Sequence, residues 1–229
     1  MRQLTVELAE LNEKLLEMGG FVATAIQRSS QALSDHNREL AEQVIREEPR
    51  INQREMEIDE LVTRLLALRQ PVARDLRFLT AALKINTDLE RMGDLAMHVA
   101  ERAISLIHHP FPQRLVDIPQ MASLVQSMLL KCLSAFVEGN ADLARSVLAM
   151  DDEVDAARDA AYDRMLRVMQ ENPAQAQAAI DLIFVTRNLE RIGDHVTNIA
   201  EDVVFLIKGV DIRHSSERVE DKIASADRG

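Results

Sequence analysis

Tryptophan is missing from this 229-residue chain, and aromatic residues make up 3% of it. A sheet core draws heavily on aromatic and β-branched side chains, so this scarcity argues against one. Seven glycines and six prolines leave little turn-forming material, which favours long, uninterrupted helices. The single cysteine, Cys132, excludes an internal disulfide and fits a reducing compartment. A long basic run is also lacking, and the formal net charge is −11. Such a chain is a poor binder of nucleic-acid backbone, where Lys and Arg must displace counterions. It suits a protein that holds cations or meets a basic partner surface. Met1 is followed by Arg2, Glu7 and Glu10 rather than an apolar signal core. The apolar run Val203 to Ile207 is far too short to span a bilayer. The expectation is a cytoplasmic protein that does not insert into a membrane.

What the chain does contain is Leu, Ala, Val, Ile, Met, Glu and Arg, with a hydrophobic share of 47%, enough for a sizeable helical core. It is also written twice. Leu89-Glu90-Arg91-Met92-Gly93-Asp94 returns one hundred positions later as Leu189-Glu190-Arg191-Ile192-Gly193-Asp194, and Ala100-Glu101 as Ala200-Glu201. Upstream, the stretch from Asn37 to Ile45 parallels Asn140 to Leu148 at an offset of 103. Two blocks with nearly equal offsets imply a duplicated unit. Each copy reads as three helices: Leu4–Leu33, Arg38–Arg69 and a third opening at Pro71 and ending near His108, then Ile118–Val137, Ala141–Gln170 and a third opening at Pro173 and ending near Gly209. Ser34-Asp35-His36-Asn37 reads as a break and a cap for the second helix, and Gly139-Asn140 as a break in the second copy. Pro49 is expected to kink the second helix. The fold class is all-α, a tandem repeat of two three-helix bundles. Residues 1–110 form the first, 115–210 the second and 211–229 a polar tail, with His109-Pro110-Phe111-Pro112 as linker.

On the third helix of each copy, Leu89, Met92, Ala96, Val99, Ala103 and Ile107, and Leu189, Ile192, Val196, Ile199, Val203 and Leu206, form one apolar stripe. Glu90, Asp94 and Glu101 cluster within about 40° on the other side, as do Glu190, Asp194 and Glu201. These ladders are expected to face water. Carboxylates at i and i+4 can share a cation, and without one they mildly destabilise a helix. The middle helices add Glu55 with Asp59, beside Asn52, and Asp155 with Asp159, beside Asp151. Oxygen-only donors favour Mg, Mn or Fe. Gly93 and Gly193 sit between the paired acids, where either a ligand or a neighbouring helix must come close. Arg69, Arg74 and Arg77 flank the Gln70-Pro71 turn, as an anion grip or as an exposed hairpin tip. His98 and His195 do not occupy equivalent positions, and Met18, Met150, Met165 and Met169 read as core filler. A carboxylate-bridged metal enzyme would use Glu-x-x-His pairs. None of the six histidines has a Glu three residues before it. A metal store is the other alternative.

The segment Leu68-Arg69-Gln70-Pro71-Val72-Ala73-Arg74-Asp75-Leu76-Arg77, with Asp88 to Asp94 after it and Asn188 to Asp194 in the second copy, resembles the two signatures of the PhoU family; Met18-Gly19-Gly20 fits as well. The resemblance implies two three-helix bundles in a cytoplasmic homodimer without enzymatic activity. It implies negative control of phosphate uptake and of the phosphate-starvation response. The partners implied are the ATPase subunit of the phosphate transporter and a sensor histidine kinase. It also implies divalent metal (Mg, Mn, Fe or Zn) at Glu55 with Asp59, Glu90 with Asp94, Asp155 with Asp159, and Glu190 with Asp194.

Overall fold

The structure is a computed structural model that describes residues 2–109 and 117–212. Within them run six α-helices: α1 (Arg2–Ser34), α2 (Arg38–Arg69), α3 (Ala73–His108), α4 (Ile118–Glu138), α5 (Ala141–Glu171) and α6 (Ala176–Lys208). Residues 110–116 of the linker and the tail from 213 lie outside the described residues. Local chemistry sets the boundaries. Asn37 and Asn140 cap α2 and α5 by accepting hydrogen bonds from the Leu40 and Leu143 N–H groups, each at 3.0 Å. Gly139 and Gly209 end α4 and α6 in left-handed conformation, φ 64° and 70°. Two expectations shift. Pro71 lies in the turn before α3, whose cap is Val72, and Pro173 opens a 3-10 turn (Pro173–Gln175) ahead of α6. The residue preceding Pro71, Gln70, takes up left-handed φ and closes α2. Helix α2 runs unbroken through Pro49, which lies on its exposed side.

The helices form two antiparallel three-helix bundles, α1–α2–α3 and α4–α5–α6, joined along α3 against α6 and α1 against α4. All six helices contribute to one continuous core, with α1, α3, α4 and α6 in its middle and α2 and α5 closing it on the outer sides. Leu89, Met92, Ala96 and Val99 of the first apolar stripe are fully buried, as are Leu189, Ile192, Val196, Ile199 and Val203 of the second. Phe78 of α3 stacks on Phe136 of α4 with ring centroids 5.7 Å apart. Of the methionines, Met18 and Met165 are fully buried, and Met150 and Met169 pack on the core's edge. Burial pushes the Cys132 thiol up to about 12, so it stays protonated. Among the described residues α4 alone is long and apolar enough to cross a membrane, and half of its apolar stretch is buried in the core.

Polar contacts fix how α3 meets α6. Lys84 pairs with Asp202 at 3.1 Å, His195 Nδ1 with Asp88 Oδ1 at 2.8 Å, and Ser105 donates to Asp181 at 2.8 Å. Arg102 reaches the same Asp181 at 3.3 Å and lies over the Phe184 ring. Rising numbers on α3 meet falling numbers on α6, so the two run antiparallel and cross level with Gly93 and Gly193. The pair Arg102–Phe184 is the counterpart, one repeat on, of Lys84–Asp202.

Close approach explains some glycines and not others. A Cβ on Gly19 would stand 2.6 Å from Leu133 Cδ1 of α4, whereas one on Gly20 would meet nothing within 4 Å. Gly20→Ala is therefore expected to stabilise the protein by about 0.5–1 kcal/mol, because alanine restricts the unfolded backbone and favours helix. Gly19→Ala should give no such gain. Urea denaturation of the two variants checks the contrast.

Candidate functional site

Each bundle carries a groove between its middle and last helix, lined by carboxylates. In the first, Glu48, Asn52 and Glu55 of α2 face Glu90 and Asp94 of α3. In the second, Asp151, Asp155 and Arg158 of α5 face Glu190 and Asp194 of α6. Packing beneath the acids sets this register. Gly93 receives Ile51, whose Cδ1 would lie 2.8 Å from an added Cβ; Gly193 receives Asp151 Oδ1 at 3.1 Å and Val154 Cγ1 at 3.5 Å. The twin glycines thus let α2 and α5 settle closely onto α3 and α6, the helix-packing alternative of the sequence reading. Because of that approach Glu90 and Glu190 are covered rather than open to water as expected, whereas Asp194 and Glu101 are exposed. The side chains of Glu90 and Glu190 are only 15% and 16% exposed. The flanking helix thus covers the first step of each ladder and leaves the rest partly or fully exposed.

Covering carboxylates raises their proton affinity. Burial, followed by the charge of Asp94, lifts Glu90; burial, followed by Asp59, lifts Glu55. Burial also lifts Glu48, against a hydrogen bond from Asn52 that favours its anion. Across the molecule, burial and then Glu190 lift Asp194. Asp151 is pushed up to about 6 by burial and then by Asp194, Asp155 and Glu190. In cation-free protein the sign of this effect is fixed. A carboxyl whose folded pKa lies above its ordinary value of 3.8 holds its proton longer when folded, so its contribution is full below about pH 4 and is lost as pH rises through about 6. Asp151→Asn should therefore leave stability at pH 4 unchanged and raise it at pH 7 by about 1 kcal/mol, allowing for screening at this partly exposed site. Thermal melts of chelator-treated protein at both pH values check it.

Basic groups enter the two grooves differently. Arg91, on α3 itself, approaches Glu90 at 3.3 Å and Asp94 at 3.5 Å from the solvent side. Arg158 comes from α5 and sits between Asp155, at 2.9 Å, Asp159, at 2.9 Å, and Glu190. Asp59 stands a turn beyond the first groove, accepting from the buried Asn86 amide at 2.8 Å, and Asp159 is 69% exposed. The arrangement therefore brings together Glu55, Glu90 and Asp94 on one side and Asp155, Glu190 and Asp194 on the other, with Asp59 and Asp159 at the edges. Glu48 is absent from the sequence reading, although the 103-residue offset carries Asp151 straight onto it. Among the described residues no three His, Cys, Asp or Glu side chains converge on one point that would hold a metal. The first groove nevertheless offers oxygen donors only, including a buried Asn52 Oδ1 without a partner, which is the donor chemistry that hard divalent cations take. The second groove does not fit such an ion while Arg158 fills it.

Elsewhere, Arg69 is committed to Glu7 through two bonds of 2.8 Å, so it does not join Arg74 and Arg77. Those two line an open cavity of about 630 Å³ with Phe78 and Phe136. Glu101 and His98 point to solvent.

Two repeated three-helix bundles, each with a carboxylate groove over a helix-buried glycine, define an all-α tandem-repeat protein whose distinctive chemistry is anionic. The chain matches the family model described as the PhoU domain twice, over residues 15–103 and 118–203, and it belongs to the PhoU family. It is 41% identical to the phosphate-specific transport system accessory protein PhoU homolog of Pseudomonas aeruginosa, over 93% of this chain and 88% of that one. A homolog of the same name from Caulobacter vibrioides is 37% identical over 90% of each chain. Among solved structures, the crystal structure of PhoU from Pseudomonas aeruginosa superposes with a TM-score of 0.87 at 40% identity, covering 90% of this chain and 99% of that one. The phosphate transport system regulatory protein PhoU from Streptococcus pneumoniae does so at 0.84 and 29% identity, over 91% and 99%.

Proposed function

We propose that this protein is a cytoplasmic negative regulator of phosphate uptake and of the phosphate-starvation response that acts by protein contact rather than catalysis. It joins the ATPase subunit of the phosphate ABC transporter to a sensor histidine kinase and works as a homodimer. One observation carries the reading: both halves match the PhoU domain, and relatives that share nearly the whole chain are named as accessory proteins of the phosphate-specific transport system. The anionic grooves supply a physical means of control. Glu55, Glu90 and Asp94 would be the residues to close on a divalent cation (Mg, Mn, Fe or Zn), which would neutralise part of a surface whose charge sets affinity for a basic partner. Deleting the gene should switch on the starvation response in phosphate-replete cells. The tagged protein should capture the transporter ATPase and the kinase from such cells. Normal phosphate control in the deletion strain, with neither partner captured, defeats the proposal.

A further inference from the structure

The two halves put opposite charges at one position of the groove. Along α2 the residues facing α3 are Glu48, Asn52 and Glu55; in the same register on α5, 103 positions later, stand Asp151, Asp155 and Arg158. The register does not rest on alignment alone, because Ile51 packs on Gly93 as Val154 packs on Gly193. Arg158 therefore occupies the place of Glu55. Its guanidinium is held from three sides, by Asp155 Oδ1 at 2.9 Å, Asp159 Oδ1 at 2.9 Å and Glu190 Oε1, and its side chain is only 22% exposed. Hydrogen bonds to Asp159 and Glu190 hold its proton more tightly than in a free arginine. A planar fork of five N–H donors can bridge several carboxylates, as a divalent cation would, but it cannot be chelated or exchanged.

The first groove lacks a counterpart. Its contacting guanidinium, Arg91, springs from the same helix as Glu90 and Asp94 and is 57% exposed. An exposed ion pair of this kind contributes little and yields readily to a stronger ligand. We infer that Arg158 is a covalently attached substitute for a divalent cation, closing the second groove to metal, so that the protein exchanges divalent cation at the α2–α3 groove alone. The assignment of the first groove rests on the metal reading given above; that of Arg158 stands on its own contacts. A change in cation level would then alter the charge of one bundle while the other stays fixed.

The probe is Mn²⁺, titrated by calorimetry into the chelator-treated full chain, with circular dichroism reporting the fold. The expected stoichiometry is one ion in the unsubstituted protein and none in Glu90→Gln/Asp94→Asn. Arg158→Glu, which gives the second groove the first groove's charge, should bind two. Placed on the Glu90→Gln/Asp94→Asn background it should bind one, with affinity at least about tenfold above that of the background alone. Arg158→Lys keeps the charge and should bind no more than the unsubstituted chain. If Arg158→Glu folds poorly, Arg158→Gln provides the same test with a weaker gain. Two ions in the unsubstituted protein, or one surviving in Glu90→Gln/Asp94→Asn, would overturn the inference, as would no gain in either Arg158 variant. No ion in the unsubstituted chain but one in Arg158→Glu removes the metal reading of the first groove and upholds the role of Arg158.

Discussion

Replacing Arg102 by methionine is expected to lower the unfolding free energy by about 2–4 kcal/mol, a large loss for a surface-reaching side chain. The reason lies in its partner. Asp181 is 0% exposed, and its carboxylate is served by Arg102 at 3.3 Å, Ser105 at 2.8 Å and Gln177 at 3.4 Å. Methionine keeps most of the packing on Phe184 but leaves a buried anion with neutral donors only. Asp181→Leu should cost less, because the arginine left behind is 41% exposed and can turn to water. The double variant Arg102→Met/Asp181→Leu should recover most of the first loss, since no charge then remains buried alone. Urea denaturation at pH 7 of the four proteins forms the cycle. A single Arg102→Met within about 0.5 kcal/mol of the parent would show that the seam does not depend on this pair.

Glu90→Gln/Asp94→Asn carries the other large effect, and its sign depends on the solution. With a chelator present the variant should melt slightly above the parent. It removes a like-charge i,i+4 pair, and it removes the repulsion and burial that lift the Glu90 carboxyl. With Mn²⁺ present the order should reverse, and affinity for the ion should fall at least about a hundredfold, because two of the groove's anionic donors are gone. The reversal arises from binding to the folded state alone. A variant that melts higher than the parent at every Mn²⁺ concentration would mean that the acids repel one another without serving a ligand.

The helices and their caps were legible because they depend on neighbours in sequence. Asn37 and Asn140 bond to backbone groups three residues on, and the repeat itself dictated that the bundles be two. Legibility ended where position depends on a partner far along the chain. Asp181 and Asp202 sit at polar positions of an amphipathic helix, and only the crossing of α3 with α6 turns them inward, onto Arg102 and Lys84. The grooves were read in half. Glu90, Asp94, Glu190 and Asp194 follow from helical phase, but the register of α2 and α5 is set by Ile51 and Val154 on the glycines. An i,i+4 pattern of acids therefore selected Asp59 and Asp159 and passed over Glu48. Gly93 looked equally like a ligand approach and a helix contact until Ile51 was seen filling the space above it.

The seam between α3 and α6 governs which half-chains can embrace. A first half facing another first half would set Lys84 against Arg102 twice, cation upon cation, because Arg102 stands where the second half has Asp202. A second half facing its own kind would bring Asp181 toward Asp202, two anions that are 0% and 2% exposed, with no guanidinium or ammonium group between them. The first match would press like charges together at a partly exposed seam, and the second would bury unpaired charge. The two sister halves therefore match each other in charge, and neither matches a copy of itself.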